Sequence, residues 1–88
     1  MNLTNQEKKK IVSIFEKYLG KHNPYNVLQL AFPEEFFSRS REGLKRLGFE
    51  RQAEWAGANI TLNGKLIGET YDISKTTFMD LLRKVYEL

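Results

Sequence analysis

Apolar side chains recur at Ile11, Ile14, Phe15, Tyr18 and Leu19, the three-and-four spacing that lines one face of a helix. Lys8, Lys9, Lys10, Glu16 and Lys17 fall largely off that face. Thr4 followed by Glu7 forms a capping box, in which hydroxyl and carboxylate each satisfy a backbone N–H that a helix start leaves unpaired. Gly20 is the expected stop, because glycine readily enters the left-handed conformation found at many helix ends. A second helix starts at Asn23-Pro24, cap and first position respectively, and has room for about two turns before Pro33 forces Phe32 towards extended geometry. Pro33, Glu34 and Glu35 then open a third helix, acidic side chains near its positive end, predicted to run to about Leu47 and stop at Gly48. Phe37, Leu44 and Leu47 mark its inner side, with Ser40 a polar member of the stripe and Phe36 off it. Gly43 either weakens this helix by about 1 kcal/mol relative to alanine or marks a close packing contact.

After Gly48 the pattern changes to β. Ile60-Thr61-Leu62, Asn63-Gly64 and Lys65-Leu66-Ile67 predict a tight hairpin, since Asn-Gly takes the positive φ values of a type I′ turn. In that register Leu62 faces Lys65 and Ile60 faces Ile67, with Tyr71 and Ile73 extending the same face. The segment from Phe49 to Trp55 fits both alternation and a helical turn (Phe49, Ala53, Ala56); a strand is favoured. Ser74 caps a final helix whose apolar face is Phe78, Leu81, Leu82, Val85 and Tyr86. The expected fold is therefore α+β, a single domain over residues 1–88. It has three N-terminal helices, a β-hairpin or, with the segment from Phe49, a three-stranded antiparallel sheet, and a C-terminal helix.

The order of parts from Asn23 to Ile73 resembles the winged-helix class of helix-turn-helix domains. Two helices meet at the Phe32-Pro33 corner, the second ends in Leu44-Lys45-Arg46-Leu47-Gly48-Phe49, and a polar-tipped hairpin follows. The corner lacks the glycine common in a tight helix-turn-helix, and no strand separates the first two helices. The resemblance implies that the third helix enters a DNA groove while the hairpin forms a wing beside it.

Charge adds to this picture. The chain carries a net +3, and residues 36–51 alone hold five basic against two acidic side chains. Turning about 100° per residue from Phe37 puts Ser38, Glu42, Lys45 and Arg46 outward, with Arg39 and Arg41 at the margins. Ser38, Arg39, Arg41, Lys45, Arg46 and Lys65 at the hairpin tip are thus the candidate nucleic-acid contacts, cations for phosphates and guanidinium forks for base edges. Glu42 is also spaced to pair internally with Lys45 and Arg46, so the same face suits plain solvation. The leading expectation is a small DNA-binding regulator, dimeric through its first or last helix. The alternative is a protein-binding adaptor or inhibitor with no nucleic-acid contact, using Trp55, Phe78, Met79, Leu82 and Tyr86, because the apolar surface of the last helix exceeds one narrow stripe.

The remaining chemistry points away from catalysis. The absence of cysteine excludes disulfides, thiolate metal sites and thiol nucleophiles. His22 is the lone histidine, in a short connection, and a zinc site needs several such ligands. The glycines are scattered and form no phosphate-binding loop. Glu34-Glu35 and Asp72 are explained by capping. No enzyme activity, cofactor, metal or small-molecule substrate is expected. No apolar run reaches the roughly 20 residues of a membrane span, and the polar, then basic N-terminus lacks the pattern of a signal peptide, so the cytoplasm is the expected location.

Overall fold

Helix α1 (Asn5–Tyr18) begins at the capping box that the sequence announces: the Glu7 N–H donates to Thr4 Oγ1 at 3.1 Å and the Thr4 N–H to Glu7 Oε1 at 3.2 Å. This computed structural model describes residues 2–38, 42–51, 59–68 and 73–88, apart from the side chains of Arg51, Asn59 and Gly68. α1 does end just before Gly20, but not by the expected left-handed glycine. The N–H groups of Lys21 and His22 both close on the Tyr18 carbonyl at 3.1 Å, and among the described glycines only Gly48 and Gly64 have positive φ.

Asn23 caps α2 (Pro24–Ala31) through a 2.8 Å bond from the Asn26 N–H, and Phe32, at φ −130°, breaks the helix before Pro33. The predicted third helix is two pieces. α3 (Pro33–Phe36) ends at Phe37, whose φ of −94° and ψ of 10° leave the helical region, and α4 (Glu42–Arg46) follows. In one continuous helix Glu35 and Gly43 would stand about 12 Å apart along the axis. Instead a methyl placed on Gly43 would lie 2.6 Å from the Glu35 Cα, so α4 folds back against α3. The reversal also exchanges two neighbours. Phe36 is 2% exposed and packs edge-on against Tyr25 at 5.0 Å, whereas Phe37, expected inside, is 65% exposed.

Gly48 turns the chain into β1 (Phe49–Arg51), which pairs antiparallel with β2 (Asn59–Leu62), which pairs with β3 (Lys65–Gly68). The expected register holds, Ile60 opposite Ile67 and Leu62 opposite Lys65, and Phe49 adds itself opposite Leu62. Asn63 and Gly64 both take positive φ, 51° and 82°, as a type I′ turn requires. The expected strand is therefore present at 49–51; its continuation to Trp55, and Tyr71, lie outside the described residues. α5 (Lys75–Tyr86) starts at Ser74, whose hydroxyl accepts from the Thr77 N–H at 3.1 Å, and ends at Glu87 in the left-handed region.

The fold is α+β, helices packed with a three-stranded antiparallel sheet. Its core has an aromatic centre: Phe15 of α1 lies 5.9 Å from Phe32, 6.0 Å from Phe49 and 5.0 Å from Phe78, joining the corner, the sheet and α5. Val27, Leu28, Leu44, Leu47, Ile60, Leu62, Ile67 and Leu82 fill the space around these rings. The Tyr86 hydroxyl, fully buried, donates to the Leu47 carbonyl at 2.6 Å and so satisfies the turn between α4 and β1. No helix among the described residues is long and apolar enough to cross a membrane.

Candidate functional site

Among the described residues expected to meet a polyanion, Lys45, Arg46 and Lys65 separate. Lys45 leaves the outer side of α4 and lines a shallow groove of about 380 Å³ with Gly48, Glu50, Thr61 and the Asn63-Gly64 turn. Arg46, its neighbour, turns the other way and its guanidinium binds Glu7 Oε2 at the start of α1. One carboxylate thus caps α1 and holds α4. The Thr4 N–H and, next, the Arg46 guanidinium keep Glu7 below its ordinary carboxylate range. Lys65 is exposed, but it shares the strand face of Leu62, whereas the groove is walled by Glu50 and Thr61 from the opposite face. Ser38 is half-buried, and Arg39 and Arg41 lie outside the described residues. Lys45 and the hairpin turn come together; Arg46 and Lys65 do not join them.

The surface expected of the alternative is corrected more completely. Phe78, Leu82 and Tyr86 are fully buried and Met79 is 2% exposed, so the broad apolar face of α5 is the inner wall of the core. Breadth follows from position: α5 packs on α1 while Phe78 reaches the Phe49 ring of the sheet, and a helix touching two layers needs a wide stripe. Trp55 lies outside the described residues.

A different apolar surface is exposed. Leu30 of α2 is 67% exposed and Tyr18 of α1 is 40% exposed, and together with His22, Val27 and Ala31 they line one depression of about 160 Å³. Val27 and Leu28 point α2 into the core, which turns Leu30, about 200° round the helix from Leu28, to solvent. That angle was available in the sequence; the apolar run Val27-Leu28-Gln29-Leu30-Ala31 conceals it, because a two-turn helix cannot bury every member. The Lys17 ammonium sits 5.4 Å from the centre of the Tyr18 ring, which lines the depression.

A third recess, about 460 Å³, lies between α1, α3 and α4, where Lys10 and the Glu7–Arg46 pair meet Glu34 and Glu35 over an apolar floor of Ile11, Ile14, Phe32 and Leu47. Its charges are mixed and its strongest pair is internal. Among the described residues, no group of acidic or histidine side chains is placed to hold a metal ion. No family model, curated protein or solved structure matches the chain.

Proposed function

We propose that the chain is a non-catalytic protein-binding module that meets its partner through the α1–α2 surface centred on Leu30. The observation that carries this assignment is the pairing of Leu30 and Tyr18 around one depression, both open to solvent in a domain that buries its other leucines of α2, α4 and the hairpin far more thoroughly. Tyrosine is among the side chains favoured at interface centres, and an exposed leucine beside it around a pocket of side-chain size adds apolar surface that a partner would cover. A photo-crosslinking amino acid at position 18, in cells, tests it. A discrete adduct should form and should vanish when Leu30→Asp is added. Since Leu30 is mostly exposed, that variant should retain its helical circular dichroism. An adduct indifferent to Leu30→Asp, or none at all, refutes the assignment.

A second assignment, to nucleic acid, is favoured by Lys45 standing beside the Asn63-Gly64 turn in one groove. Among the described residues its recognition surface is one lysine and a turn, with Glu50 in the same groove opposing it. Duplex DNA titrated at several salt concentrations should then show a dependence whose slope drops by about one unit in Lys45→Ala. Binding no stronger than background at low salt excludes this assignment.

A further inference from the structure

The Leu30 depression carries information about its occupant. Residues 17–33 contain Lys17, Lys21 and His22 and not one acidic side chain. These side chains stand on or next to residues of the depression: the Lys17 ammonium lies over the ring of Tyr18, His22 is part of the wall, and Lys21 is exposed in the turn closed on the Tyr18 carbonyl. The nearest acidic group along α1, Glu16, is engaged elsewhere, accepting from Arg83 at 3.3 Å and facing Lys75 at 3.7 Å on α5. The site is an apolar cup whose own segment, residues 17–33, carries basic side chains and no acidic ones.

Resting on the protein-binding assignment, we infer that this cup takes a single leucine- or phenyl-sized side chain from a partner segment whose flanking residues are acidic. A volume of about 160 Å³ matches one such group, since a cavity of about 150 Å³ is enough for a benzene ring. Lys17, in the last turn of α1, and Lys21, exposed just after it, flank Tyr18 in the chain, so carboxylates beside the anchor meet them while the anchor reaches Leu30 and Val27. Opposite charge at the rim selects the partner and speeds encounter, and the apolar anchor holds it.

Three synthetic helical peptides test the inference: one with a central leucine flanked by glutamates, one with the same leucine flanked by lysines, and the glutamate peptide with serine for leucine. The readout is the NMR shift of the Leu30 and Val27 methyl groups and the Tyr18 ring during titration. The glutamate–leucine peptide should shift these signals saturably and bind roughly three- to tenfold more tightly than its lysine counterpart. The advantage should shrink as salt rises. The double variant Lys17→Glu/Lys21→Glu should reverse the preference, and the serine peptide should lose it. Equal binding of both leucine peptides at Leu30 overturns the acidic partner while leaving the protein-binding assignment standing. No shift at Leu30 with any peptide overturns the inference, and the crosslinking at position 18 then decides whether the broader assignment falls with it.

Discussion

Alanine in place of Gly43 should destabilise the fold, against the usual trend. In a helix that exchange stabilises by about 1 kcal/mol, because glycine has more backbone entropy to lose. Here the new Cβ would stand 2.6 Å from the Glu35 Cα and 2.9 Å from its carbonyl oxygen, both backbone atoms that no rotamer change can remove. To restore ordinary contact, α4 has to retreat until that 2.6 Å becomes at least 3.4 Å. It cannot do so freely, since Leu44 and Leu47 are each 1% exposed and hold it in the core. Overpacking of this kind costs about 1–3 kcal/mol, which against the propensity gain of about 1 kcal/mol leaves a net loss of up to about 2 kcal/mol. For a domain of this size the melting temperature should fall by about 4–8 °C per kcal/mol. Gly20 supplies the control: nothing lies within 4 Å of its Cβ position and its φ is not positive, so Gly20→Ala should be stabilising by about 0.4–1 kcal/mol. Urea unfolding followed by far-ultraviolet circular dichroism measures both, with unchanged dependence on urea showing that the same surface is exposed. If Gly43→Ala matches or exceeds the parent protein in stability, the close approach of α3 and α4 is refuted.

Further outcomes rest on particular contacts. Tyr86→Phe strands the buried Leu47 carbonyl and should cost about 1–3 kcal/mol in urea unfolding. Burial pushes the Tyr86 phenol above its ordinary value of 10.0, so the folded state keeps a proton that the unfolded state releases. Its contribution is complete below about pH 10 and declines above it by up to about 1.4 kcal/mol per pH unit. Tyr86→Phe should flatten that alkaline decline; an unchanged profile contradicts the burial. Thr4→Ala removes the cap of α1 and should lower stability by about 0.5–2 kcal/mol, checked by thermal melts. If DNA binding is detected, Arg46→Ala should leave its salt slope nearly unchanged while Lys45→Ala lowers it, because Arg46 is already held by Glu7.

Local signals carried most of the fold. The Thr4–Glu7 box, the Asn23 and Ser74 caps and the Asn63-Gly64 turn each involve residues within a few positions of one another, and each stands where the sequence places it. What escaped was long-range. The reversal between α3 and α4 depends on Gly43 meeting Glu35, a contact that no periodicity encodes; Ser38 and Ser40, poor helix formers, were the available hint. A wheel drawn from Phe37 through a presumed unbroken helix therefore set Phe36 and Phe37 on the wrong sides. The pairing of Arg46 with Glu7, 39 positions away, was equally hidden, and it takes a cation out of the surface that sequence charge alone had assembled. The Leu30 surface escaped because the apolar run Val27-Leu28-Gln29-Leu30-Ala31 does not by itself assign an inner and an outer face to α2.

The burial of Phe78 and Tyr86 has a consequence for how the chain is made. α5 emerges last of these elements from the ribosome, at about 5–20 residues per second. Until it does, the rings of Phe15 and Phe49 have no lid, and the Leu47 carbonyl has no donor. A chain ending at β3 would lack those contacts, so its stability should depend on the arrival of the final helix. Arrest of translation before Tyr86 should leave a product that proteases and chaperones recognise as unfinished.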